Sequence, residues 1–158
     1  MCYVKFVNNG YYDIESVNSL IKYVMDPYHA YNKLYGGIGA SYESVDTAVE
    51  EFMATKNTYH KTNDNCRKMR HLIVSFDSSE CKSGKIARDL GYAICNYFNN
   101  EFQIIFSVHE NTNNIHLHFA INTVSFRDGH MYSAGPYDAE NLKRYIEDIT
   151  NFKCRLVH

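Results

Sequence analysis

The chain has 158 residues, 45 % of them apolar and 22 % charged, with a formal net charge of −2. That length builds one domain with a real core and not two ordinary ones, and the mixed composition excludes a disordered chain. No run of about 18 apolar residues is present, so no membrane-spanning helix is expected. The opening MCYVKFVNNGYYD lacks the basic-then-apolar order of a signal peptide. Five scattered cysteines without a CxxC pair argue against a disulfide framework or a cysteine zinc site and suit a reducing cytoplasm. A charge of −2 means that any nucleic-acid role needs positive charge gathered on one face.

In chain order, the alternation Tyr3-Val4-Lys5-Phe6-Val7 reads as a first strand. Asp13 or Ser16 caps a helix whose Val17, Leu20, Ile21 and Val24 recur at helical spacing, and Pro27 limits it. Tyr35 to Ser41 (YGGIGAS) is a short strand; its glycines lack the lysine and spacing of a phosphate loop. Ser44 or Asp46 opens a second helix to about Thr58, with Val45, Val49, Phe52 and Met53 on one side. A polar loop, TNDNCRK, precedes a strong strand, MRHLIVSF, from Met69 to Phe76. Lys82 to Phe98 is helical. The two best strands follow, Phe102 to His109 and Ile115 to Val124, and the short loop Glu110 to Asn114 makes them an antiparallel hairpin. A turn at Arg127-Asp128-Gly129 leads to a brief return strand, and Asp138 begins a last helix to about Phe152. The expected fold is α+β, a mainly antiparallel central sheet with helices packed on one face, in a single domain spanning residues 1–158.

The segment VHENTNNIHLHFAIN, Val108 to Asn122, carries three of the eight histidines. Strand side chains alternate between faces, so Ile115, Leu117, Phe119 and Ile121 share one face and His116, His118, Ala120 and Asn122 the other. A hairpin register that opposes His109 to His116 brings all three imidazoles together on the polar face. His71, Ile73 and Ser75 of the MRHLIVSF strand belong to a comparable face, with His71 a weaker candidate ligand. Three neutral imidazoles at this spacing can hold a metal with positions left open for water or substrate. The plainer alternative is that each is a surface or hydrogen-bonded histidine.

Together these segments resemble the conjugative relaxases of the HUH endonuclease superfamily, most closely the MOBP branch. His109, Asn114, His116, His118 and Asn122 fall on that family's third motif. LIKYV (Leu20 to Val24) resembles its first motif, with the nucleophilic tyrosine at Tyr23. RHLIVSF (Arg70 to Phe76) resembles its second, with Ser75 placed near DNA. The resemblance covers most of the chain, in the family's motif order. One departure is Asn111, which stands where the family has an acid and leaves Glu110 beside it. The family usually continues into a long C-terminal region, so the chain is expected to be the N-terminal catalytic part of a longer protein.

The resemblance implies site-specific nicking and rejoining of single-stranded DNA at a transfer origin, with or without an adjacent hairpin. Tyr23 would attack the phosphodiester and form a 5′-phosphotyrosyl link, with Mg²⁺ or Mn²⁺ held by His109, His116 and His118. It also implies accessory DNA-binding proteins, a type IV secretion coupling protein and a bacterial cytoplasmic location. Helix geometry sets Tyr23 about 100° from the centre of its apolar stripe, where it either reaches over the sheet or packs at the boundary. Tyr145, in LKRYIEDI, is the rival nucleophile, since replication initiators of the same superfamily place their tyrosine after the metal motif. Ser75 either bonds a phosphate or meets solvent, and Asn122 either orients the site or pairs backbone. Lys68 and Arg70 either contact phosphates or belong to a solvated loop. Glu110, a histidine or water is the general base. Tyr28, Tyr31 and Tyr35 either stack on bases or pack in a loop. Two other readings remain at this point: a three-histidine hydrolase without a tyrosine, and a non-catalytic DNA-binding module.

Overall fold

Capping and apolar alternation set the element boundaries in the computed structural model, which describes residues 1–158. Strand β1 (Cys2–Phe6) leads to α1 (Glu15–Val24), β2 (Tyr35–Ile38), α2 (Val45–Thr58) and β3 (Met69–Phe76). Then come α3 (Gly84–Cys95) with a 3-10 turn at Asn96–Phe98, β4 (Phe102–His109), β5 (Ile115–Ser125), α4 (Pro136–Thr150) and β6 (Cys154–Leu156). The Asp13 carboxylate accepts from the Ser16 amide at 2.9 Å and stops the first turn of α1 from fraying. Ser44 caps α2 by accepting from the Thr47 amide, and Ser83 caps α3 through Ile86, so α3 starts two residues after Lys82. Helix α4 starts before Asp138 because Pro136 suits a first helical turn.

The six strands form one sheet in the order β2-β4-β5-β3-β1-β6. Every pairing is antiparallel except β1 with β6, which runs parallel through Cys2↔Cys154 and Val4↔Leu156. Strand β6 was not expected: three residues are too few for a periodicity. The return strand shrinks to a single bridge, Val124↔Met131.

The α+β class and the antiparallel sheet are as expected, but helices cover parts of both faces. Leu72, Val74, Phe76, Ile104, Phe106, Leu117, Phe119 and Ile121 form a dry core with Ala87 and Ile94 of α3 and Leu142 and Ile146 of α4. The Phe106 ring lies against Gly36 of β2 and Gly91 of α3, and a Cβ at either glycine would meet it at 2.3–2.4 Å. On the opposite face a smaller core joins Val17, Leu20, Ile21 and Val24 of α1 and Ala48 and Phe52 of α2 to Met69, Ile105 and Ala120. The correction has a simple cause: α1 and α2 carry apolar stripes of their own, and these three sheet residues are where the polar face can receive them. The strand ends nearer the β4–β5 hairpin, where the histidines stand, lie outside that core.

Candidate active site

The β4–β5 register pairs His109 with His116 and Ser107 with His118. The β3–β5 register pairs Ser75 with His116 and Ile73 with His118. Two independent strand pairings thus bring Ser75 beside the histidines on one face. The His109 and His118 rings stack at 4.1 Å between centroids, and His116 lies 6.3 Å from His118. His71 reaches the same group, with its Nε2 3.0 Å from Nδ1 of His118.

Helix α1 delivers Tyr23 to this cluster. Its C-terminal end is tied down at the Val24 carbonyl, which accepts from His109 Nε2 at 3.1 Å and from Ser107 Oγ. Tyr35 Oη adds a bond to the Met25 carbonyl at 3.0 Å. These bonds satisfy carbonyls that a helix end leaves unpaired, and they fix the rotation of α1 over the sheet. The Tyr23 ring then sits 5.7 Å from His71, 6.1 Å from His109 and 5.6 Å from His118, yet remains 42 % exposed.

Burial pushes the imidazoles towards the neutral form. His118 falls to about 2 and His71 to about 4, with desolvation as the main cause and neighbouring histidines adding to it. Desolvation also lowers His109 and His116. Neutral imidazole is the form that ligates a cation. His109 spends Nε2 on the Val24 carbonyl, His118 spends Nδ1 on His71, and His116 spends Nδ1 on Thr112 Oγ1 at 3.2 Å. One nitrogen of each ring is left without a protein partner, so the donor set suits a divalent ion. As the side chains stand, no three such groups converge as a ligand set; the stacked rings must turn to do so.

Several expected site residues lie elsewhere. Lys68 is fully buried, and its ammonium donates to the carbonyls of Tyr12, Asn63 and Cys66, so it is not free to meet a phosphate. Arg70 alternates with His71 and falls on the opposite face, lining a cavity with Pro136, Ala139 and Leu156. Glu110 also turns away: Asn32 donates to it, and its carboxylate lies against Gly84 at the start of α3, where a helix N-terminus favours an anion. Asn122 is fully buried. Its amide donates to the Phe52 carbonyl and Gln103 Oε1, while its oxygen accepts from Lys56 Nζ at 2.6 Å and from the Val124 amide. It anchors α2 to the sheet and has no capacity left for DNA. Tyr145 packs against α3 in the dry core and donates to the Ala93 carbonyl at 2.8 Å, on the face away from the histidines.

One residue was missed. His29 stacks on His109 at 5.6 Å with the planes 19° apart, and it lies 5.5 Å from Tyr23. It sits in the loop after α1, where no periodicity applies. The only sequence signal was its distance of six residues from Tyr23.

A family model described as relaxase, MobA/VirD2-like nuclease domain, matches residues 23–152. The chain belongs to this relaxase family. Its relaxase nuclease domain is also similar to the protein TraI of Escherichia coli, at 37 % identity over 82 residues. That stretch covers 51 % of this chain and 11 % of TraI, so the relaxase domain matches a small part of that relative's length. No solved structure matches the chain. The relaxase match includes Tyr23 and all three motif histidines.

Proposed function

We propose that this relaxase domain nicks and rejoins single-stranded DNA at a transfer origin, with Tyr23 as the nucleophile. The observation that carries the reading is the meeting of Tyr23 with four histidines, His29, His71, His109 and His118, at 5.5–6.1 Å between ring centroids, where Tyr11 and Tyr28 each touch one. Tyr23 Oη attacks the phosphorus in line, forming the Oη–P bond as the P–O3′ bond breaks. The bonding pair leaves on the 3′ oxygen, which takes up a proton and departs as a hydroxyl. The phenol proton passes to His29 or to water, since His109 and His118 would hold the ion, His71 is bonded through both ring nitrogens, and Glu110 lies against α3. The 5′-phosphotyrosyl product keeps the energy of the phosphodiester, so the 3′-hydroxyl can attack in reverse and reseal the strand.

His109, His116 and His118 would hold a divalent ion, Mg²⁺ or Mn²⁺. Such an ion supplies positive charge for the phosphate oxygens and helps to orient the scissile bond. Ser75, opposite His116 in the register, donates its hydroxyl to the same phosphate. Tyr28 and Tyr31, both more than half exposed in the loop after α1, offer stacking surfaces for flanking bases. A bacterial cytoplasmic setting, accessory DNA-binding proteins, a secretion coupling protein and a longer parent protein complete the proposal. No helix of the chain is long and apolar enough to cross a membrane.

The test is covalent-adduct formation on single-stranded oligonucleotides tiled across the neighbouring transfer origin, with Mn²⁺ or EDTA. Wild type, Tyr23→Phe and Tyr145→Phe are compared, and the adduct is located by peptide mapping. A metal-dependent adduct on Tyr23, lost only in Tyr23→Phe, is expected. An adduct on Tyr145, or metal-dependent cleavage that survives loss of both tyrosines, would overturn the reading.

A further inference from the structure

On the histidine face, Tyr11 and His71 form a polar chain that ends on His118. Tyr11 Oη lies 3.3 Å from Nδ1 of His71, and Nε2 of His71 lies 3.0 Å from Nδ1 of His118. His71 is 5 % exposed and His118 7 %, so water competes weakly for these atoms. The sheet explains why the rings meet. His71 pairs across the β3–β5 register with Ala120, whose methyl group leaves room for the imidazole to lean one step along the strand towards His118.

A neutral imidazole carries one proton and one lone pair, on opposite nitrogens. The chain can therefore run in only two directions. If Nδ1–H of His118 donates to Nε2 of His71, then Nδ1–H of His71 donates to Tyr11 Oη. His118 is left with an unprotonated Nε2, the form able to hold a cation. In the reverse direction Nε2 of His118 carries the proton and cannot ligate. Histidines that bind metal generally donate their other N–H to an outer partner, which sets both tautomer and ring orientation. Carboxylates often take that role, but here Asn111 replaces the expected acid and Glu110 lies against α3.

We propose that His71, braced by Tyr11, is the positioning residue that holds His118 in its ligating tautomer. The inference rests on His118 acting as a metal ligand. It has a consequence beyond the ring: a Tyr11 hydroxyl that accepts from His71 keeps its own proton to donate. Tyr11, His71 and Tyr23 line one cleft of about 430 Å³ together with Asn9 and Ser19, so that donor stands beside the proposed nucleophile.

The experiment measures Mn²⁺ affinity of the DNA-free chain by electron paramagnetic resonance and calorimetry, with circular dichroism as the check on folding. His71→Phe is expected to weaken binding by roughly 10- to 100-fold. His71→Gln, whose side-chain oxygen can accept from Nδ1–H of His118, recovers most of the loss. Tyr11→Phe gives a smaller loss in the same direction, and it carries the test if His71→Phe does not fold. Unchanged affinity in both His71→Phe and Tyr11→Phe would overturn the proposal. So would a loss in His71→Gln as deep as in His118→Ala, because His71 would then be a ligand itself. Wild type that binds no Mn²⁺ yet forms the Tyr23 adduct in EDTA would sink this inference and leave the nicking reading standing.

Discussion

On β5, Leu117, Phe119 and Ile121 enter the core beneath α3 and α4, while His116, His118, Ala120 and Asn122 occupy the alternate positions. The same strand thus serves two environments one residue apart. On the first face every partner is apolar, and burial itself supplies the stability. On the second, α1 and α2 cover only part of the surface, and the buried polar groups are met one by one: Lys56 by Asn122 and the Lys68 carbonyl, Lys68 by three carbonyls, His118 by His71. Such groups cost free energy unless each finds a partner, so this face gives up hydrophobic stabilisation and keeps chemistry. Damage to the first face should lower stability. Damage to the second should divide, according to position, between activity and stability.

The sharpest division is expected at Tyr23. Tyr23→Phe should remove adduct formation by about 10⁴-fold or more, on the scale of deleting a covalent nucleophile, and leave the unfolding midpoint almost unchanged. Quantified adduct gels beside denaturant unfolding check both halves. A large fall in stability instead would make Tyr23 a packing residue. On the other face, Phe106→Ala should cost about 3–5 kcal/mol in unfolding free energy, because Phe106 is fully buried and its neighbours Gly36 and Gly91 have no side chains to fill the gap. The folded fraction should retain adduct activity.

Asn122→Ala tests the boundary between the two behaviours. It leaves the Lys56 ammonium and the Phe52 carbonyl each short of a partner, a loss of about 1–3 kcal/mol. Adduct formation per folded molecule should hold, as urea titration and gel assay together would show; a selective loss of activity would return Asn122 to the site. The smallest effect concerns pH. The folded values of His71 and His118 lie below the unfolded value near ~6.5, so the unfolded chain takes up protons first on acidification. Their contribution is full above that value and is lost as pH falls from ~6.5 towards about 4 for His71 and about 2 for His118. Each such proton adds a slope of about 1.4 kcal/mol per pH unit. His71→Gln should flatten the stability curve between pH 6 and pH 4.5 by up to about one proton's worth. An unchanged slope would mean that His71 is not held neutral by burial.

Much of the site was legible because its logic is local. The alternation Ile115-His116-Leu117-His118 fixes which side chains share a face, and a short polar loop sets His109 opposite His116. Ser75 was reachable by the same argument once β3 was paired with β5. Residues argued from charge or from nearness in sequence fared worse. Lys68 and Arg70 looked like a basic patch, yet one is sealed beneath the chain from Tyr12 to Cys66 and the other points through the sheet. Glu110 adjoins His109 in sequence, but the next residue along a strand belongs to the other side.

What the sequence by itself determined is therefore periodic: the histidine-face positions on paired strands, an apolar face behind them, and the amphipathic stripes of α1 and α2. Period-two and period-3.6 patterns depend only on backbone geometry, so they survive without knowledge of the fold. Tertiary structure alone decided which tyrosine meets the histidines, because that depends on how the Val24 carbonyl docks α1 on Ser107 and His109. It also decided that His29 joins the cluster from a loop, that Tyr145 is spent on the Ala93 carbonyl, and that Asn122 is a buried anchor. Each of these is a contact between segments far apart in the chain, settled by packing and hydrogen-bond satisfaction that no local pattern encodes.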